Sequence, residues 1–139
     1  MAAEIAVGAR PFGLAFADGA VLVGNAGAST LSVIDARSLR VTRTIDVGAA
    51  PAGLAAVPGR HLVYVTVGSG GVVPVDTATF TVGALIPTGA GAYGVAVAAD
   101  GTAWVVHSNG NDVRAVGPGG KAGEAIRVGN VPDGIGLTH

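Results

Sequence analysis

The sequence predicts an all-β domain assembled from repeats, and three observations lead to that prediction. One phrase recurs four times along the chain: VGARPFGLAF, VGAAPAGLAA, TGAGAYGVAV and VGNVPDGIGL. The glycine at the seventh position of each phrase, called the second glycine below, is Gly13, Gly53, Gly94 or Gly134, and these are 40, 41 and 40 residues apart. Between them lie short runs rich in Val, Ile and Leu, bounded by Gly, Asp, Asn or Pro, as expected for strands. A fixed period of this length is typical of a repeat architecture.

Each full period contains four strand-like runs. They are GLAF, VLVGN, TLSVID and VTRTIDVG in the first unit, GLAAV, LVYVTV, GVVPVD and TVGALIPTG in the second, and GVAVAA, AWVVHS, DVRAVG and AGEAIRVG in the third. The first two runs of each unit are joined at Asp18-Gly19, Pro58-Gly59 or Asp100-Gly101, where glycine can take the positive φ of a tight hairpin turn.

Four antiparallel strands in about 40 residues are typical of one β-propeller blade, with the first strand next to the central axis. We therefore predict a single partial propeller over residues 1–139, with repeat units at 8–47, 48–88 and 89–128 and a partial repeat at 129–139. Gly13 and Gly94 are predicted to serve folding rather than function.

The first two units resemble the YVTN-type propeller repeat. The likeness rests on YVTV and VVPVDTAT in the second unit and on VGN and LSVIDARS in the first. The third unit departs from the family pattern, because Gly91 replaces a proline, His107 stands where asparagine closes the YVTN run, and VGPGGK replaces the Asp-Thr turn. The AYGVA phrase is also distantly similar to streptogramin-lyase-type propellers. Their magnesium and catalytic histidine are not carried over, because no matching His and Glu constellation is found.

Three blades do not close a ring. Propellers have four to eight blades that pack face to face, so an open series leaves an apolar face at each end. We expect a homo-oligomer whose ring is completed by a second chain, with a two-fold dimer of six blades as the leading architecture. Residues 5–16 and 126–137 are copies of the same segment. Where two chains meet in such a ring, both segments would therefore compete for the same outer-strand and inner-strand position. Three explanations stay open: one copy of the segment is displaced, the two copies form a stunted extra blade, or the chain is a piece of a longer propeller.

Composition excludes several classes of function. Eight basic and nine acidic residues without runs, and only 4% aromatic residues, predict no nucleic-acid partner. No apolar stretch approaches the roughly 20 residues that span a bilayer, so no membrane partner is predicted. The start Met-Ala-Ala-Glu does not look like a signal peptide, which predicts a cytoplasmic protein by default and leaves secretion open if a leader was removed. The chain has no cysteine, and we expect neither a metal nor another cofactor.

Candidate site residues follow from the propeller prediction. The loop that enters the first strand and the loop between the second and third strands open on one face, around the axial funnel where ligands bind. On this basis we predict a ligand site formed by Arg10, Phe12, Asn25, Tyr93, His107, Asn109 and Asp133. Arg10 can hold a carboxylate through two hydrogen bonds. Phe12 and Tyr93 can instead plug the channel, an alternative that the sequence leaves open.

His107 and Asp133 are the candidate catalytic residues, with Asp112 orienting His107 as a general base. Hydrogen bonding within a polar loop explains His107 and Asp112 equally well. Asp35 and Asp76 are predicted to accept hydrogen bonds from turn amides. Trp104 is predicted to lie in the core between blades, and His61 to be a turn residue without a chemical role.

Two functions are consistent with this sequence. The first is a non-catalytic binding or assembly module, a homodimeric propeller that recognises a small molecule or a protein segment at its central funnel. The alternative is a lyase, hydrolase or cyclase of specialised metabolism whose site at the funnel is shared between subunits. The sequence does not decide whether the protein is an enzyme.

Overall fold

A computed structural model describes residues 5–8, 10–89, 91–107, 112–117 and 122–127. All regular secondary structure in these residues is β, in thirteen strands. None of these residues belongs to a helix long and apolar enough to cross a bilayer.

The strands form three antiparallel sheets in chain order. The first sheet contains β1 (Pro11–Ala17), β2 (Ala20–Asn25), β3 (Thr30–Asp35) and β4 (Arg40–Asp46). The second contains β5 (Pro51–Ala56), β6 (Leu62–Val67), β7 (Gly71–Asp76), β8 (Thr81–Val82) and β9 (Ile86–Pro87). The third contains β10 (Ala92–Val97), β11 (Ala103–His107), β12 (Asp112–Val116) and β13 (Ala122–Arg127). The strands that open each sheet, β1, β5 and β10, are neighbours in space and form the inner layer, as the sequence predicts.

The turns have the chemistry that the sequence indicates. Asp18 and Gly19 take φ values of 52° and 74° between β1 and β2, which is the two-residue turn that matches strand twist. Asp35 Oδ1 accepts hydrogen bonds from the amides of Arg37 and Ser38, at 2.8 and 2.9 Å. Asp76 repeats this arrangement in the second sheet. The predicted turn role of these two aspartates is confirmed.

The outer strand of the second sheet differs from the prediction. The run TVGALIPTG was expected to form one strand, but it forms two short ones, β8 and β9, which pair with opposite ends of β7. Pro74 lies between these ends, and its carbonyl accepts the amide of Gly83 at 2.8 Å. Because the amide and carbonyl of a strand residue point to the same side, the hydrogen that proline lacks is missing on the edge facing the outer strand. The hydrogen-bond ladder between β7 and the outer strand is therefore interrupted at Pro74, between β8 and β9.

The core lies between the sheets. One cluster joins the first and second sheets and includes Leu22, Leu31, Val33, Leu54 and Val65. A second cluster joins the second and third sheets and includes Tyr64, Val72, Ala103, Val105 and Val116. Side chains alternate between the two faces of a strand, so each sheet presents one apolar face to its predecessor and another to its successor.

The first and third sheets each have one face with no described sheet against it. On β1, Leu14 and Phe16 are 66% and 61% exposed, although the corresponding Leu54 on β5 packs in the core. On β11, Trp104 alternates with the core residue Val105 and is half-buried on the face turned away from the second sheet. No sheet follows the third among the described residues, so the position of Trp104 in a core between two blades stays a prediction.

Candidate functional site

The repeated phrase forms the start of each inner strand. Pro11, Pro51 and Ala92 pair with Asn25, Val67 and His107, and the register then shifts before Leu14, Leu54 and Val95. The two residues skipped by this bulge include the second glycine of the phrase and the residue before it. A bulge of this kind bends the strand and redirects a side chain. In this chain the redirected positions are Phe12, Ala52 and Tyr93.

The second glycine is required because the backbones of neighbouring inner strands cross closely. A Cβ atom on Gly13 would lie 2.6 Å from the carbonyl oxygen of Ala52. A Cβ atom on Gly53 would lie 2.6 Å from the carbonyl oxygen of Tyr93. A real Cβ atom cannot approach an oxygen so closely, so these two glycines set the contact between successive sheets.

A cavity of about 540 Å³ opens where the inner strands begin, and we call it the upper cavity. All three sheets contribute to its lining, which consists of Arg10, Phe12, Ala26, Ala50, Pro51, Ala52, Gly68, Ser69, Gly91, Ala92 and Tyr93. Three of the predicted ligand-binding residues, Arg10, Phe12 and Tyr93, are thus brought together. Their assignment to a ligand remains a prediction.

Phe12 and Tyr93 are in contact within the upper cavity. Their ring centroids are 5.4 Å apart and their planes make an angle of 75°, which is an edge-to-face arrangement. Phe12 is 63% exposed among the described residues. The backbone of Tyr93 is anchored by the second sheet, because Thr66 Oγ1 donates to its carbonyl at 2.5 Å and accepts the amide of Gly53 at 2.7 Å.

Asn25 occupies a different environment from these residues. It is fully buried at the end of β2, where Nδ2 donates to Ser32 Oγ at 2.9 Å and to Thr30 Oγ1 at 3.3 Å. Its Oδ1 atom has no hydrogen-bond partner among the described residues. Asn25 does not line the upper cavity.

His107 occupies the position in the third sheet that Asn25 and Val67 occupy in the first and second. It is 2% exposed, and its Nε2 lies 2.7 Å from Thr88 Oγ1. Its Nδ1 lies 3.0 Å from Asp112 Oδ1, an ion-pair distance, but the atoms are not aligned for a hydrogen bond. Burial lowers the pKa of His107 below its ordinary value, against the opposing effect of Asp112. Direct access for a substrate is closed, because Thr88 is also 2% exposed.

Asn109 and Asp133 lie outside the described residues. Within the described residues, no group of three His, Asp or Glu side chains is arranged to hold a metal ion.

A second cavity, of about 360 Å³, lies at the opposite end of the inner strands, and we call it the lower cavity. Beside it His61 Nδ1 is 2.8 Å from Asp18 Oδ2, and Thr77 Oγ1 donates to the same carboxylate oxygen. The hydrogen bond that the His61 imidazole donates to Asp18 raises the pKa of His61. The hydrogen bonds from Thr77 and then from His61 lower the pKa of Asp18. Sequence reasoning missed this cluster, because 43 residues separate its carboxylate from its imidazole and the Asp18-Gly19 turn signal does not indicate a partner for the Asp18 side chain.

The three sheets stacked around neighbouring inner strands define a β-propeller segment, so the predicted all-β, partial-propeller fold class is confirmed. A scan of protein-family models finds no match, and a search of curated proteins finds none either. The fold assignment therefore comes from solved structures, while the YVTN-type assignment stays a prediction.

The similar solved structures are propeller proteins of differing function. Kuenenia stuttgartiensis hydrazine synthase has a TM-score of 0.85 and 22% identity, over 94% of this chain and 40% of that chain. A streptogramin B lyase has a TM-score of 0.76 and 20% identity, over 91% of this chain and 44% of that chain. The computationally designed Ika4 protein has a TM-score of 0.81 and 15% identity, over 100% of this chain and 89% of that chain. The chain thus spans less than half the length of the two natural proteins.

Proposed function

We propose that this protein is a non-catalytic binding module, a propeller completed by a second copy of the chain, which recognises a small molecule or a protein segment at the upper cavity. The observation that carries the proposal is the exposed apolar face of the first sheet. Leu14 and Phe16 are more than 60% exposed there, whereas the same face of the second sheet packs against the first. The internal repeat itself therefore indicates which surface this face fits.

The matching surface is the far face of the third sheet. Tyr64 lies on the face of the second sheet that packs against the third, and Trp104 holds the corresponding position one sheet later. Contact between Trp104 of one copy and Leu14 and Phe16 of another would repeat the packing found twice within the chain. In a two-fold pair this contact forms twice, so both ends of each copy are covered.

The upper cavity supports the binding part of the proposal. Its volume lies within the range of small-molecule sites, and its lining combines apolar side chains with a few polar groups. The similar solved structures include a lyase, so the fold is compatible with catalysis as well as with binding. The burial of His107, one of the two candidate catalytic residues, supports binding over catalysis.

The test is the mass of the protein in solution by light scattering. We expect the unchanged chain at micromolar concentration to have twice the 13.4 kDa mass of one copy. The double variant Leu14→Glu, Phe16→Glu should have the single-chain mass and retain its β-sheet circular dichroism, because a buried carboxylate opposes the pairing.

Leu85→Glu is the matched control, because Leu85 is an exposed apolar residue at the break in the outer strand, and this variant should retain the wild-type mass. A single-chain mass for the unchanged protein, or an unchanged mass for the double variant, contradicts the proposed pairing.

A further inference from the structure

The upper cavity has an aromatic corner. Phe12 and Tyr93 meet edge to face, with an angle of 75° between their planes, and one ring comes from the first sheet and the other from the third. Pro51 and Ala52 of the second sheet also line the cavity. A flat apolar group placed in such a corner stacks against one ring and presents its edge to the other. The corner thus fits a planar ring system.

The cavity also has one cationic group. Arg10 is the single charged residue in the described lining, which contains no Asp or Glu. Its guanidinium forms no ion pair with any residue that the structure describes. The backbone at Arg10 is held in the left-handed region, with φ of 50°, and its carbonyl accepts the amide of Ala26 at 3.0 Å. This backbone restraint fixes the point from which the side chain extends.

A guanidinium matches the geometry of a carboxylate, to which it donates two parallel hydrogen bonds. The Ser69 hydroxyl, also in the lining, is a further polar group available to a ligand. A lining that offers two rings at 75° to each other, one cation and no anion selects for a planar aromatic group that carries a negative charge.

We propose that the upper cavity binds a small aromatic carboxylate, with its ring system against Phe12 and Tyr93 and its carboxylate on Arg10. This inference rests on the binding role proposed above and names the class of ligand. The cavity is built from residues of one copy, so binding does not require the second copy.

The experiment uses 2-naphthoate as the probe and the neutral 2-naphthamide as its isostere, in isothermal titration calorimetry with the full chain. We expect 2-naphthoate to bind and the amide to bind at least about tenfold more weakly, because a hydrogen bond to a charged group is the stronger one. Arg10→Gln should weaken 2-naphthoate binding by about tenfold and leave amide binding unchanged. Tyr93→Ala should weaken both ligands.

Arg60→Gln is the matched control, because Arg60 lines the lower cavity and the variant removes the same charge from the opposite end of the inner strands. It should bind 2-naphthoate as the unchanged protein does. Failure of 2-naphthoate to bind at millimolar concentration, equal binding of the amide, or an equal loss in the two arginine variants overturns the proposal. Light scattering on the same samples separates the proposed pairing of two copies from the proposed ligand class. A dimer that does not bind 2-naphthoate refutes only the ligand class. A monomer that binds 2-naphthoate refutes only the pairing.

Discussion

Gly53 shows how one residue controls the spacing of two sheets. Because Gly53 has no side chain, the carbonyl oxygen of Tyr93 can lie only 2.6 Å from the position that a Cβ atom would occupy. The neighbours are backbone and the Thr66 hydroxyl bonded to it, so they cannot move aside without disturbing β10.

We expect Gly53→Ala to destabilise the protein by about 1–3 kcal/mol, the range for overpacking a tight site, as measured by urea denaturation. Gly68→Ala is the control. A Cβ atom on Gly68 meets nothing within 4 Å, so its free energy of unfolding should change by less than about 0.5 kcal/mol. Equal effects of the two substitutions would show that the close crossing does not constrain Gly53.

His107 and Thr88 form a buried polar pair, whereas the equivalent positions one repeat earlier are occupied by apolar residues. The corresponding residues one repeat earlier, Val47 at the end of the first unit and Val67 in the second, are 7% and 1% exposed and belong to the first core cluster. The third sheet thus has a hydrogen bond of 2.7 Å at positions where the preceding repeat has two core valines.

We expect either Thr88→Val or His107→Val alone to cost about 1–3 kcal/mol, because each leaves a buried polar partner unsatisfied. The double variant should cost less than the sum of the single ones, which a double-mutant cycle of urea unfolding measures. The exposed pair Thr79 and Thr81, whose hydroxyls are 2.9 Å apart, provides the control cycle, with coupling expected within about 0.5 kcal/mol. Strict additivity at Thr88 and His107 would refute the pair's energetic coupling.

At the scale of elements, the turn between β1 and β2 is tied to the turn between β5 and β6. Asp18 supplies the carboxylate, His61 the imidazole and Thr77 a hydroxyl, so the contact joins the first and second sheets away from the upper cavity. Asp76 lies near enough to add to the rise in the pKa of His61.

This contact predicts a pH dependence of stability. The raised pKa of His61 means that the ion pair contributes fully below the ordinary value of 6.5 and that its contribution is lost as pH rises through the raised pKa. The lowered pKa of Asp18 means that the contribution is present above 3.8 and lost as pH falls through the lowered pKa. We therefore expect His61→Gln to lower the Tm more at about pH 5.5 than at about pH 9.

Thr77→Val is the control for this prediction, because the hydroxyl does not titrate in that window and its effect on Tm should be the same at both pH values. A His61→Gln effect that is equal at the two pH values would show that the ion pair does not contribute to stability.

The element order was predictable from the sequence, because turn residues and apolar runs are local signals. Asp18-Gly19 and the aspartates at positions 35 and 76 adopt the turns that their residue types indicate. The break between β8 and β9 was missed, although its signal was present in Pro74, because the effect of that proline depends on which neighbour its backbone faces.

The candidate site was predictable only in part. Arg10, Phe12 and Tyr93 meet at one cavity because the repeated phrase leads into the inner strand of each sheet and these inner strands are neighbours. The same correspondence could not show that Asn25 and His107 are buried, since burial depends on the neighbouring backbone segments, Gly8 against Asn25 and Thr88 against His107. The cluster of Asp18, His61 and Thr77 has no sequence signal, because its members meet only when two sheets stack.

At the scale of the whole molecule, each sheet uses one face to receive its predecessor and the other to receive its successor. The contact between successive sheets occurs twice inside the chain. One side of a further contact of this kind is exposed on the first sheet at Leu14 and Phe16, and the other side is half-buried on the third sheet at Trp104. If copies pair through these faces, as proposed, the subunit boundary has the same construction as the boundaries within one subunit, and stability and association are linked.

Where a glycine of one inner strand crosses a carbonyl group of the next, the main chain sets the spacing of the sheets and the side chains of the same short segment line the upper cavity. Ala52 and Tyr93 provide the contact through their main chain, while their side chains differ in size and chemistry. Changes in these side chains therefore leave the spacing of the sheets intact. A lineage that duplicates this segment can alter recognition at one copy after another without redesigning the scaffold, which gives the architecture high evolvability.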